Sequence, residues 1–165
     1  MIRRIIEERD AAAMCALDED DLWDVLTCLW CYYYHRMPVA DLNEVQLKYF
    51  LCMELENMCQ CDGILSLTEH EDIFFNLPRM HQSLLEIGAP KTAQALREFM
   101  DLLPDGTFEN RVMPEWKWFF ADEAREKEID RISWYIIDYP DGPMIDLYHR
   151  GITADITVAQ KLLEL

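Results

Sequence analysis

The chain has 165 residues and carries 32 Asp and Glu against 15 Lys and Arg, a formal charge of −17, yet 51% of it is hydrophobic and 12% aromatic. So much apolar side chain excludes a disordered acidic tail, and the charge must clothe a folded surface that repels nucleic acid and membranes and attracts basic proteins. Six cysteines outside Gly- or Pro-rich loops, with no apolar run long enough for a signal peptide or for the ~20 residues of a membrane span, point to reduced thiols in a cytoplasm.

Hydrophobic periodicity predicts an all-α fold, a single-domain compact bundle of about seven or eight helices over residues 1–165. Ile2, Ile5, Ile6, Met14 and Leu17 form a partial apolar stripe and predict a first helix from Ile2 to Leu17. The cluster Asp18-Glu19-Asp20-Asp21 interrupts it and supplies a cap and dipole-favoured carboxylates to a second helix, Leu22 to Met37. That helix is apolar nearly all round, ends before Pro38 and is expected to be the most buried element. Asp41 with Glu44 reads as a capping box for a third helix that reaches Cys61 and stops at Asp62-Gly63.

Thr68 with Glu71 repeats the capping-box pattern ahead of a turn or two ending at Phe75. Asn76 is then expected to N-cap a helix with Pro78 in its first turn and Met80, Leu84, Leu85 and Ile87 at helical spacing. Gly88 suits the left-handed residue that closes this helix, and Pro90 suits the first turn of another running from Lys91 to Leu103. A further helix begins near Pro114-Glu115 and extends to Tyr139 with a break around Glu128, followed by the turn Pro140-Asp141-Gly142-Pro143. Beyond that turn the pattern is divided. Ile152 to Val158 alternates like a strand, whereas Val158 to Leu165 reads as helix.

Cys28-x-x-Cys31-x-x-x-His35 places three ligands of the zinc type on one helical face, and Cys59-x-Cys61 offers two more. Their apolar surroundings favour core cysteines, so no metal and no cofactor is expected. His70 among Glu69, Glu71 and Asp72 reads as a solvated helical turn. There is no Gly-rich phosphate loop, G-x-S-x-G elbow or zincin histidine pair, so a non-enzymatic role is expected. The aromatic group Trp116, Trp118, Phe119, Phe120, Trp134 and Tyr135 is expected to pack in the core, with a partner or self-association surface as the alternative.

Asp122, Glu126 and Asp130 fall at i, i+4 and i+8, lining one helical edge in steps of about 6 Å. Phosphates follow one another along a DNA strand on a similar scale, so such a row can occupy the basic groove of a DNA-binding protein. Asp20, Asp21 and Asp24 offer a second, shorter patch. Against this, Arg125, Lys127 and Arg131 adjoin the longer row and would make it an ordinary solvated face.

The segment Leu84-Leu85-Glu86-Ile87-Gly88-Ala89-Pro90-Lys91-Thr92-Ala93-Gln94-Ala95-Leu96-Arg97, followed by Leu102-Leu103-Pro104, resembles the domain family of the nineteen-kilodalton DNA-mimic protein. That family shows an acidic helix, a Gly-containing turn with aromatics and an Asn, then a helix ending in Ile-Gly-Ala and a further helix. Here Glu54 and Glu56, Asp62-Gly63, Phe74-Phe75-Asn76 and Ile87-Gly88-Ala89 follow that order. The likeness covers residues 41–104 and, more loosely, extends to 139. The family's usual Asn-Gly-Gly-aromatic turn is present only as Asp62-Gly63-Ile64-Leu65. The resemblance implies an all-α, cytoplasmic, bacterial protein, with a homodimer left open. The member that gives the family its name antagonises a helix-turn-helix transcription factor by presenting DNA-like negative charge, a role that does not transfer automatically to its relatives. No carboxylate carries over from the motif, and the acidic row rests on its spacing.

The expected partner is therefore a basic protein such as a DNA-binding regulator or nuclease, without direct contact to nucleic acid or membrane. An immunity protein or antitoxin against a basic toxin fits the size and acidity equally, and a small Cys/His metal protein is the remaining alternative.

Overall fold

The computed structural model describes residues 1–165, which contain helices and connections but no β-strand. In chain order the α-helices are α1 (Ile2–Glu8), α2 (Ala11–Cys15), α3 (Glu19–Arg36), α4 (Glu44–Asp62), α5 (Glu71–Phe74), α6 (Leu77–Ile87), α7 (Pro90–Leu102), α8 (Trp116–Phe119), α9 (Glu123–Ile137), α10 (Met144–Ala154) and α11 (Ile156–Leu162). The fold is all-α as expected, and eight of these helices have seven residues or more. The chain divides into two compact units, residues 1–50 with 143–165, and residues 51–142.

In the first unit the expected helix Ile2 to Leu17 is two helices. Arg9 takes a left-handed φ of 53°, and the Arg9 and Asp10 amides donate back to the Ile6 and Ile5 carbonyls, closing α1. Asp10 then accepts from the Ala13 amide at 3.0 Å and opens α2, so an Asx cap outcompetes continuation of the helix. Asp18 caps α3 in the same way through the Asp21 amide, also at 3.0 Å.

The expectation that α3 is the most buried element fails. It buries Leu22, Val25, Leu26, Leu29 and Tyr33, while Trp23, Tyr32 and Tyr34 are each more than a third exposed. Buried residues run without interruption from Tyr49 to Leu55 along α4 instead. Nor does the box Asp41/Glu44 form. Asn43 Oδ1 accepts from the Val45 and Gln46 amides, and Gln46 Oε1 accepts from the Asn43 amide, so the box sits two residues later.

The strand-like alternation after Ile152 belongs to a junction between two helices. Asp155 takes extended backbone and caps α11 by accepting from the Thr157 amide at 2.9 Å. The open carbonyls at the C-terminal end of α11 find side-chain donors. Tyr33 Oη donates to the Leu162 carbonyl, Asn43 Nδ2 to that of Lys161 at 2.9 Å, and Gln46 Nε2 to that of Glu164 at 2.6 Å.

In the second unit, α4 ends at Asp62, and Gly63 (φ 80°) turns the chain into a 3-10 helix, Ile64–Glu69. Thr68 does not cap. Its hydroxyl donates back to the Leu65 carbonyl at 2.7 Å, which a 3-10 turn favours. Asn76 stands at the expected N-cap position of α6, but its amide group donates to the Asp72 carbonyl at 2.7 Å. Gly88 closes α6 in the left-handed region, and Pro90 opens α7, both as expected. The start of α7 is capped from afar. Asp141 Oδ2 accepts from the Thr92 amide at 2.7 Å and the Thr92 hydroxyl at 3.0 Å, while Oδ1 accepts from the Lys91 amide. The helix expected from Pro114 to Tyr139 breaks after Phe119 rather than around Glu128, because Asp122 restarts it as an N-cap.

Candidate acidic interaction surface

The predicted row Asp122, Glu126 and Asp130 lies on α9, but its members are not equivalent. Asp122 Oδ1 accepts from the Ala124 and Arg125 amides at 2.8 and 3.4 Å, so this carboxylate is engaged by its own helix. Glu126 and Asp130 are exposed and form no ion pair. The neighbouring bases are held elsewhere. Lys127 pairs with Glu123 at 2.6 Å, and Arg131 pairs with Glu128 at 2.7 Å and with Glu98 on α7 at 2.5 Å. Arg125 lies over the Trp118 ring, 3.6 Å from its centroid, and donates to the Trp118 carbonyl. The hydrogen bond from Arg131 holds the Glu128 carboxyl below its ordinary range, and Glu128 with Glu98 raises the Arg131 guanidinium. The row is thus a solvated face on which Glu126 and Asp130 have no ion pair of their own.

Asp20, Asp21 and Asp24 belong to the first unit, at the start of α3. Asp20 and Asp24 are exposed, Asp21 is half-buried, and none forms an ion pair. Every base on α3 lies at its far end, where His35 and Arg36 complement the helix dipole. Two carboxylates four residues apart thus stand on one helix face without a counter-charge of their own.

The Cys/His constellation is placed differently from the expectation. Cys28 and His35 are exposed and Cys31 is half-buried on the outer side of α3, while Cys61 is exposed at the end of α4. Cys52 and Cys59 are the buried pair. An apolar neighbourhood in sequence misled here, because α3 has more apolar side chain than it packs. No group of three or more His, Cys, Asp or Glu side chains is arranged to hold a metal ion. Burial pushes the Cys59 thiol up to about 12, and partial burial with Cys31 and Asp24 nearby raises Cys28. Thiols shifted in that direction stay protonated at neutral pH and are poor nucleophiles.

The expectation that the aromatic group packs in the core holds only for Phe119, with Trp118 half-buried. Phe119 is buried, but Trp116, Phe120, Trp134 and Tyr135 are exposed, Trp134 at 66%. Sequence reasoning further missed a cavity of about 430 Å³ in the second unit, lined by Asp62, Gly63, Ile64, Asp130, Ser133 and Trp134 among others. Asp62-Gly63 read as a helix stop and Trp134 as one aromatic among six. Only the fold brings them together, although a Gly at a helix end followed by no cap is a local signal of a sharp turn.

A family model described as DMP19-like protein matches residues 40–150. The chain belongs to that family. No curated protein and no solved structure matches it. The matched span opens just before α4 and closes within α10. Within it, the segment Ile87-Gly88-Ala89-Pro90 is a structural joint between α6 and α7, capped by Asp141. The two glutamates of the acidic helix differ in burial, Glu56 being half-buried. Glu54 is fully buried, and Glu56 accepts from the Tyr139 hydroxyl at 2.9 Å, a group that in turn accepts from Gln60 Nε2. No helix is long and apolar enough to cross a membrane.

Proposed function

We propose that this DMP19-like protein is a non-enzymatic binding protein whose acidic surface occupies the basic site of a DNA-binding protein. The observation that carries the reading is the charge left over after internal pairing. With 32 acids against 15 bases, Lys127 and Arg131 of α9 are already paired and Arg125 is turned onto Trp118, while Glu126, Asp130, Asp20 and Asp24 remain exposed without ion pairs. Glu126 and Asp130 are four residues apart on one helix, about 6 Å of axial rise, as are Asp20 and Asp24. Carboxylates so spaced present charge on the scale of a phosphate backbone and would draw a positively charged groove at long range.

The test is capture of partners from a bacterial lysate on the tagged protein, followed by stepwise salt elution. A basic DNA-binding protein released at moderate salt, and captured less well by a Glu126→Gln/Asp130→Asn/Asp20→Asn/Asp24→Asn variant, is the expected result. Asp122→Asn serves as a control, since Asn keeps the helix cap while removing charge. Absence of any salt-sensitive basic partner would remove the reading.

A further inference from the structure

The cavity of the second unit carries an inference that rests on the reading above and names the chemistry of one contact. It lies at the C-terminal end of the 19-residue helix α4, whose last residues line it, so the negative end of the helix dipole contributes to its field. Asp62 and Asp130 stand on the same lining, exposed and without ion pairs, and no Lys or Arg lines the cavity. Trp134 adds an indole that is two-thirds exposed, and Ile129 and Ile137 add apolar wall. The cavity is held open by buried chemistry. Ser133 Oγ accepts from the Ile64 amide at 3.1 Å and donates to the Ile129 carbonyl at 3.0 Å, pinning the 3-10 helix to α9. A Cβ on Gly63 would stand 3.3 Å from that Oγ, so the glycine lets the turn close there.

We propose that this cavity receives an arginine side chain of the basic partner, its guanidinium against Trp134 with Asp62 and Asp130 as acceptors and its methylene stem along the isoleucines. The volume falls within the roughly 300–1,000 Å³ of small-ligand sites. A planar, weakly hydrated guanidinium stacks on indole and takes several acceptors at once, which a compact ammonium does less well. The indole half of this arrangement exists inside this unit, where Arg125 stacks on Trp118 and donates to a backbone carbonyl. Charge complementarity selects the occupant. A neutral apolar side chain would leave two carboxylates and a helix C-terminus beside it without a counter-charge.

The probe is arginine amide, titrated at low salt into the intact protein while the indole N–H resonance of Trp134, assigned with Trp134→Phe, is followed by NMR. A saturable shift at a midpoint on the order of millimolar is expected, with lysine amide weaker and norleucine amide inert. Asp62→Asn should weaken the arginine response about fivefold. A Trp134 resonance that does not saturate, that responds equally to lysine amide, or that is indifferent to Asp62→Asn overturns the proposal. Capture with Asp62→Asn/Trp134→Ala separates the two readings, because neither residue belongs to the acidic rows. Loss of the partner supports the arginine contact. Undiminished salt-sensitive capture overturns that contact and leaves the charge-based function standing.

Discussion

Gly151 lies inside α10, where an added Cβ would stand 2.6 Å from the Tyr49 hydroxyl oxygen and 3.8 Å from its Cζ. Gly151→Ala therefore sets two effects against each other. Ala is preferred to Gly within a helix by about 1 kcal/mol. Overpacking a filled site costs about 1–3 kcal/mol. Tyr49 is 3% exposed and its ring packs on Tyr148 at 5.7 Å between centroids, so it has little room to retreat from a contact about 0.8 Å too short. The clash should win, and Gly151→Ala should destabilise the protein by up to about 2 kcal/mol. Tyr49→Phe removes the offending oxygen and leaves Cζ at ordinary van der Waals distance. In that background the same Gly151→Ala change should stabilise by about 0.5–1 kcal/mol, whatever Tyr49→Phe costs alone. The sign inversion corresponds to a coupling energy of about 1–3 kcal/mol. Urea unfolding of the four proteins by far-UV circular dichroism measures it, with unchanged m-values as the condition for comparison. Additive effects, or a Gly151→Ala change that stabilises both backgrounds, would refute the close approach.

Ser133→Ala strands the buried Ile64 amide and should cost about 1–3 kcal/mol, a fall of about 2–4 °C in Tm for each kcal/mol at this chain length. An unchanged Tm would count against the pinning bond. Under native conditions a maleimide should modify the exposed Cys61 first, reach the exposed but raised Cys28 more slowly, and reach Cys52 and Cys59 only after unfolding, as peptide mass spectrometry can read, and native labelling of Cys59 at the rate of Cys61 would contradict its burial. Burial, with Glu56 nearby, pushes the Tyr139 phenol from 10.0 up to about 12, and burial raises Tyr33 as well. These raised values mean that the folded protein holds the phenol protons more tightly than the unfolded chain. Their stabilisation is complete below pH 10.0 and is lost as pH rises toward about 12, so unfolding free energy should fall across that window, and a flat profile there would contradict the assignment.

Features set by one or two residues were readable before the fold was known. Gly88 and Pro90 punctuate the chain because left-handed backbone favours Gly and a fixed φ suits a first helical turn, and both act there as the sequence predicts. Where two similar residues compete, tertiary contacts decide. Asn43 prevails over Asp41 as a cap in a setting where its amide also reaches Lys161 and Glu164, while Gln46 reaches the Glu164 carbonyl. The break at Arg9 had no Gly to announce it, and its left-handed backbone is accompanied by the Asp10 cap on the next helix and by a hydrogen bond from its guanidinium to the Leu165 carbonyl. The exposure of α3 was hidden because a helix apolar on every side does not declare which face finds neighbours. The same logic divides the candidate site. Its carboxylates were visible as residues, but that Arg131 reaches Glu98, 33 residues away, depends on packing distant in sequence, and that Arg125 turns to Trp118 depends on the break between α8 and α9.

The proposed function requires that the acidic surface and DNA compete for one basic site. The measurement that tests it most directly is elution of the captured partner with a random-sequence DNA duplex at constant ionic strength, beside a neutral polymer of similar size. The account predicts release by the duplex, retention with the neutral polymer, and easier release from the Glu126→Gln/Asp130→Asn protein. A partner that stays bound under saturating duplex would contradict it, because the protein would then be holding a surface that DNA does not use.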